Sequence, residues 1–250
     1  MGAHQIQPDR TIQEAINKLN SLIGNESAVE SVVALGKQAI PYLEHFLLDC
    51  PPRTISLPRC RTVRALGELG AYSVLTQYFE RYQRPSDSAV LFAEDAVRSA
   101  AAKELAQVHS EGVYRVLLRA TKQRATSGLV RALGSFCRSE SVPLLFELLE
   151  DDLCRTDAMT ELRKIPEAAR PYAVLLLRGC TETPIQRSIS TRRRHCTLQL
   201  LVDFGIPESD WPEIRQYLTS EEERRSSQLL LLMLAGHRNV SAPWQVEFLL

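Results

Sequence analysis

The sequence predicts an all-α, right-handed solenoid of about seven pairs of antiparallel helices. The residues three before and three after each of six leucines are apolar, a spacing that places one buried stripe along a helix. Five of the six units also carry arginine seven residues before the leucine. A motif that recurs with a period near 30 residues is typical of a repeat protein. The six leucines are Leu66, Leu105, Leu133, Leu162, Leu201 and Leu232.

The elements follow in order from this register. Residues 1–28 are predicted to form an N-terminal segment with a capping helix over residues 11–23, and residues 29–250 one continuous repeat array. Each first helix should end four residues after its leucine, where glycine or proline is frequent. The second helices are expected at residues 39–49, 73–81, 112–120, 142–151, 171–178, 213–218 and 245–250. Pro41, Pro143 and Pro171 are expected near helix starts, where the missing N–H costs nothing.

Three connections are longer than the rest and contain proline or many polar residues. They are expected to be loops over residues 50–59, 81–91 and 179–192. Insertions into a solenoid emerge at the turns between helices, and long loops often carry function.

Three segments resemble HEAT repeats of the short type also found in phycobilisome lyases. They are VRALGELG at 63–70, AVRSAAAKELA at 96–106 and VRALGSF at 130–136. The resemblance covers roughly residues 29–250 and implies a HEAT-like α-solenoid. HEAT arrays mostly act as adaptors, scaffolds or folding accessories, and only a few are enzymes.

The recurring arginines share a helix face with the buried leucines, one turn nearer the N-terminus, so they should point into the seam between units. Acidic residues recur just upstream, at Glu94 and Asp95, Asp151 and Asp152, and Glu221 and Glu222. This arrangement resembles the Asp–Arg ladder that fixes the stacking of HEAT arrays. We expect a structural ladder, with a ligand-binding arginine stripe as the alternative, at Arg59, Arg98, Arg155, Arg194 and Arg225.

The face lined by the second helices, which resembles the concave groove of HEAT arrays, is the candidate recognition surface. Tyrosine and arginine dominate interface energetics, which favours protein binding there. An ordinary solvated helix face is the alternative. The residues expected to point outward are Tyr42, His45, Tyr78, Arg81, Arg115, Arg119, Glu147, Tyr172, Arg178 and Arg215.

Composition and motifs argue against several other classes. Lysine plus arginine and aspartate plus glutamate both number 30, so no overall positive field attracts nucleic acid. Two arginine runs, at 192–194 and 224–225, could still contact phosphates.

There is no His-Glu dipeptide, GxSxG or HExxH motif, so we expect neither a metal nor a cofactor. No apolar run is long enough to span a bilayer or act as a signal peptide, which favours the cytoplasm.

The sequence therefore favours a non-catalytic scaffold or adaptor that binds a partner protein on the second-helix face. Two alternatives stay open. One is a chromophore-handling accessory resembling phycobilin lyases. The other is a nucleic-acid-binding protein of the kind represented by HEAT-like alkylpurine DNA glycosylases.

Overall fold

The computed structural model describes residues 10–20, 27–177 and 190–205, and every regular element in these ranges is helical. The predicted all-α class is confirmed. Within these ranges the α-helices are α1 Arg10–Asn20, α2 Ser27–Val33, α3 Ile40–Leu48, α4 Leu57–Glu68, α5 Tyr72–Glu80, α6 Ser88–Leu105, α7 Glu111–Gln123, α8 Ser127–Gly134, α9 Val142–Glu147, α10 Arg155–Arg163, α11 Pro166–Leu177 and α12 Thr191–Phe204.

The helices belong to two compact units, Met1–Phe136 and Cys137–Leu250. In the first unit, α2, α4, α6 and α8 pack side by side in one layer, while α3, α5 and α7 form a second layer. In the second unit, α10 packs against α12 and α9 against α11. This alternation is that of stacked helix pairs, so the predicted solenoid architecture is confirmed within each unit. Its right-handedness, and the continuity of one array over 29–250, stay predictions.

The leucine register is the centre of the packing. Leu66, Leu105, Leu133, Leu162 and Leu201 each have 0% of their surface exposed. Leu232 lies outside the described residues. The predicted burial of the central leucine is therefore confirmed in five of the six units, whereas the residues three after it, Leu69, Val108, Phe136 and Phe204, are half-buried.

Helix ends follow the expected local chemistry at several positions. Gly70 and Gly205 end first helices with φ values of +71° and +70°, in the left-handed region that favours glycine. The N-terminal capping helix is α1, which packs against α2 and α4. Pro41 and Pro143 lie in the first turns of α3 and α9, as predicted.

Two of the predicted loops are shorter than expected. α4 begins at Leu57, because Pro58 is tolerated in a first turn, so Leu57–Arg59 is helical rather than loop. α6 begins at Ser88, because the Asp87 carboxylate accepts hydrogen bonds from the backbone N–H groups of Ala89 and Val90 at 2.8 and 2.9 Å.

Two further boundaries were also wrong. Residues 191–192 belong to α12, which is capped by Ser190, and the rest of the predicted 179–192 loop before Ser190 lies outside the described residues. Pro171 lies inside α11 rather than near its start, because that helix already begins at Pro166.

None of the helices in the described ranges is both long and apolar enough to cross a membrane. The second helices predicted at 213–218 and 245–250 lie outside those ranges.

Candidate binding cleft

A cavity of about 700 Å³ opens in the first unit, where two of the long connections meet. The ends of α3 and α5 form part of its wall, together with the chain that follows each helix, Asp49–Pro52 and Arg81–Gln83. Side chains from the starts of α4 and α6 complete it. A smaller cavity of about 310 Å³ lies along the same 50–59 connection and shares Cys50, Pro51 and Arg59 with the first.

A buried polar network lines the larger cavity. Arg59 Nη2 lies 3.3 Å from Glu94 Oε1, and the Tyr78 hydroxyl donates to the same oxygen at 2.6 Å. The side chains of Arg59 and Glu94 are 7% and 5% exposed. Burial raises the pKa of Tyr78 well above its usual value, and the neighbouring Glu94 carboxylate raises it further. Tyr78 therefore remains a hydrogen-bond donor over the whole physiological pH range.

A second buried arginine lies beside this network. Arg98 is 0% exposed, and its guanidinium carbon lies 4.1 Å from the centre of the Tyr82 ring. Its Nη2 donates to the Ala120 carbonyl at 2.8 Å. Burial lowers the pKa of Arg98 below its usual value, an effect that the neighbouring tyrosines oppose. Tyr82 also lines the cavity, so this stack fixes one wall.

The rim of the cavity carries exposed charges that join adjacent second helices. Asp49, after α3, lies 3.0 Å from His45 Nδ1 and 3.6 Å from Arg81 Nη1, after α5. All three side chains are more than half exposed. Such exposed pairs contribute little to stability.

Three of the predicted ladder arginines make the same kind of contact, a hydrogen bond from the guanidinium to a backbone carbonyl. Arg59 donates to the carbonyls of Phe46 at 3.4 Å and Cys50 at 3.1 Å, Arg98 to Ala120, and Arg155 to the Leu149 carbonyl at 2.9 Å. These carbonyls lie in the last turn of second helices or just beyond it, where many carbonyls lack intrahelical partners, although the Ala120 carbonyl also accepts from the Arg124 N–H at 3.1 Å. Arg194 is half-buried, and its role in the ladder stays a prediction. Arg225 lies outside the described residues.

Carboxylates also accept from arginine, and one of these contacts, between Glu94 and Arg59, joins neighbouring helix pairs. Glu94 accepts from Arg59, and Asp95 forms a bidentate pair with Arg124 at 2.6 and 2.7 Å. In the second unit, Asp152 accepts from Arg155. The arginine column thus combines carboxylate contacts with capping of second helices. The sequence pattern indicated the first contact and missed the second.

The predicted recognition residues are only partly brought together. His45, Arg81, Arg115, Arg119 and Glu147 are exposed, while Tyr42 and Tyr172 are half-buried. Arg115 Nε pairs with Glu111 at 2.7 Å, and the Tyr172 ring packs against Phe146. Arg178 and Arg215 lie outside the described residues.

The prediction that Tyr78 points outward is wrong, since Tyr78 is 4% exposed. Its ring shares the buried stripe of α5 with Val74 and Leu75, and its hydroxyl is satisfied by the buried Glu94. A buried tyrosine needs such a partner, and the partner comes from a different helix pair, 16 residues away. The cavity itself was also missed. The adjacency of two long connections, after successive second helices, is the signal that could have located it.

Across the described part of the chain, no group of three histidine, cysteine, aspartate or glutamate side chains is arranged to hold a metal ion.

No family model and no curated protein matches this sequence. Among solved structures, the chain is similar to the complex of CpcE and CpcF of phycocyanin lyase from Nostoc sp. PCC7120, at 20% identity and a TM-score of 0.41, over 99% of this chain and 95% of that one.

Proposed function

We propose that this chain is a non-catalytic scaffold or adaptor that binds a partner protein on the face formed by α3, α5 and α7, and that it acts in the cytoplasm. α3 packs against α5, and α5 against α7, so their outward residues share one surface. A preformed surface of this kind loses little ordering entropy on association.

The basic stripe of α7 carries the proposal. Arg115, Arg119 and Lys122 are all exposed and fall on one side of the helix, at spacings of four and three residues. Arg115 is paired with Glu111, whereas Arg119 and Lys122 make no ion pair within the described residues. Cationic side chains without local partners favour an acidic segment of another protein.

A double charge reversal, Arg115→Glu with Arg119→Glu, tests this proposal. The matched control is Arg64→Glu with Lys103→Glu on the layer of first helices. Arg64 also forms an exposed pair four residues along its helix, with Glu68 at 3.0 Å, and Lys103 is exposed as Arg119 is. Both variants change the charge by the same amount, and each breaks an exposed ion pair between residues four apart on one helix.

The readout is affinity capture from cell extract, with melting temperature measured in parallel. We expect proteins captured by the wild type and by the control to be lost from the α7 variant, with both variants melting within about 2 °C of the wild type. Equal capture by the two variants would contradict the proposal.

A chromophore-handling accessory is the second candidate, and the 700 Å³ cavity favours it because small-molecule sites span about 300–1,000 Å³. Visible absorbance after incubation with a bilin tests it. The nucleic-acid alternative is tested by a salt titration of DNA affinity, because phosphate contacts weaken steeply as salt rises.

A further inference from the structure

The smaller cavity, of about 310 Å³, lies where α3 ends and α4 begins. Its wall contains arginine but no carboxylate, since the charged residues that line it are Arg53 and Arg59. Glu94 does not line this cavity, but it is bound to Arg59 and offsets one of the two positive charges. One positive charge remains, which favours a ligand with a single negative charge.

Both arginines keep donors for such a ligand. Arg53 is exposed and makes no ion pair or hydrogen bond within the described residues. Arg59 is 6% exposed, and its Nε is buried without a hydrogen-bond partner in the part of the chain that the structure describes. Its Nη1 donates to the carbonyls of Phe46 and Cys50, so the end of α3 is already compensated. Because a buried donor without an acceptor is costly, this wall favours a ligand oxygen.

The backbone adds to this preference at the start of α4. Helix N-termini attract anions because their first N–H groups have no intrahelical partner. Ser56, at the N-cap of this helix, gives these groups no side-chain hydrogen bond. In the connection before it, the N–H groups of Thr54 and Ile55 also donate to no described residue. The helix end therefore reinforces the two arginines.

The rest of the wall is apolar. Phe46, Pro51, Ile55 and Pro58 line the cavity, and Ile55 is 48% exposed. A volume of about 310 Å³ is near the lower limit of small-molecule sites, so the cavity suits one residue of a peptide rather than several. A C-terminal residue with an apolar side chain combines one carboxylate with one apolar group. An aspartate or glutamate side chain offers the carboxylate with little apolar surface.

We propose that the smaller cavity binds the C-terminal residue of the partner protein, and that this residue is apolar. Its terminal carboxylate pairs with the Arg53 guanidinium and accepts from Arg59 Nε, while its side chain packs against Phe46 and Ile55. The cavity lies at the end of α3, one of the three helices of the proposed binding face. This inference rests on the proposed partner-binding function and specifies the chemistry of one end of the partner.

Calorimetric titration of the full chain at pH 7 tests the site with four probes. Nα-acetyl-leucine carries both the terminal carboxylate and the apolar side chain. Its methylamide lacks the carboxylate, Nα-acetyl-glycine lacks the side chain, and Nα-acetyl-glutamate methylamide carries its carboxylate on the side chain.

At up to about 20 mM probe, we expect saturable binding of Nα-acetyl-leucine that weakens with added salt. The other three probes should bind at least about fivefold more weakly, because each lacks one of the two groups or places the carboxylate elsewhere. Absence of saturable binding by Nα-acetyl-leucine would overturn the proposal. So would an affinity of any other probe within that fivefold margin, and a glutamate probe that binds more tightly would assign the cavity to acidic side chains instead.

Two variants assign the binding to the cavity. Arg53→Gln should weaken Nα-acetyl-leucine at least about threefold, because it removes the arginine–carboxylate pair. Arg84→Gln is the matched control, since Arg84 is also exposed, makes no ion pair among the described residues and lines neither cavity. It should bind the probe as the wild type does. Both variants should melt within about 2 °C of the wild type, because each changes an exposed side chain. Affinities of the two variants within threefold of each other would place the carboxylate elsewhere and overturn the proposal.

This outcome is separable from that of the partner-binding experiment. Loss of partner capture in the α7 variant together with silent titrations would support the binding face and overturn the role of the cavity. Probe binding that depends on Arg53, with capture unchanged in the α7 variant, would support the cavity as a carboxylate site and contradict binding on the α7 face.

Discussion

Replacing Tyr78 with phenylalanine removes one hydroxyl from the buried network and leaves the ring in place. That hydroxyl donates to Glu94 Oε1 at 2.6 Å, and the tyrosine is 4% exposed. Tyr82→Phe is the matched control. It lines the same cavity, and its hydroxyl oxygen is buried without a hydrogen-bond partner among the described residues. The two substitutions delete the same atom and differ in the bond that is lost.

The expected cost follows from the acceptor. A hydrogen bond to a charged group contributes about 1.5–3 kcal/mol, and Glu94 keeps its contact with Arg59 at 3.3 Å, so we expect Tyr78→Phe to lose about 2 kcal/mol. For a chain of this length that corresponds to a fall in melting temperature of roughly 4–8 °C. Tyr82→Phe loses no bond and should stay within about 0.5 kcal/mol of the wild type.

Urea titration followed by far-UV circular dichroism at pH 7 measures both variants, and the slope with urea should not change. The folded-state pKa of Tyr78 is raised, so the wild type holds this stability below pH 10 and loses it as pH rises beyond. The difference between wild type and Tyr78→Phe should therefore shrink above pH 10. Equal stabilities for the two variants at pH 7 would refute the network as a source of stability.

Three further predictions, which use four substitutions, test the packing and electrostatics of the first unit. Gly128→Ala places a methyl 2.5 Å from Ser99 Cβ and 2.6 Å from its Cα, so it should cost about 1–3 kcal/mol in urea unfolding; Gly67→Ala meets only the movable Glu104 side chain and should cost less. Glu104→Gln should stabilise the protein at pH 7 but not at pH 4. Burial raises the folded-state pKa of Glu104, so the ionised carboxylate destabilises the folded protein once the pH rises above that raised pKa. Gly70→Ala, at φ +71°, should lower the unfolding free energy by about 1 kcal/mol, and no loss would mean that the left-handed turn is not required.

The repeated features of the fold could be predicted because each is local and recurs. One helix face of period 3.6 predicts the burial of Leu66, Leu105 and Leu133, and first-turn prolines mark the starts of α3 and α9. The predicted helix boundaries were wrong where a single capping residue decides the helix start. At Asp87, for example, the carboxylate caps α6, so the helix begins earlier than the apolar pattern indicates.

The candidate site was harder because it depends on contacts between helix pairs. The arginine register identified Arg59 and Arg98 as inward-facing, and the acidic pattern identified Glu94 as an acceptor. The choice of acceptor for each arginine depends on where second helices end, which the register does not encode. Tyr78 was misplaced for the same reason, since a phenol can be buried only when a distant partner reaches it.

Acetylation footprinting of the captured complex tests the central claim most directly, because each layer of the first unit carries an exposed lysine. Lys122 lies on α7, in the layer of second helices, and Lys103 on α6, in the layer of first helices. Binding on the second-helix face predicts that Lys122 is protected in the complex while Lys103 reacts as fast as in the free chain. Protection of Lys103 with Lys122 unchanged would place the partner on the opposite layer and contradict the account.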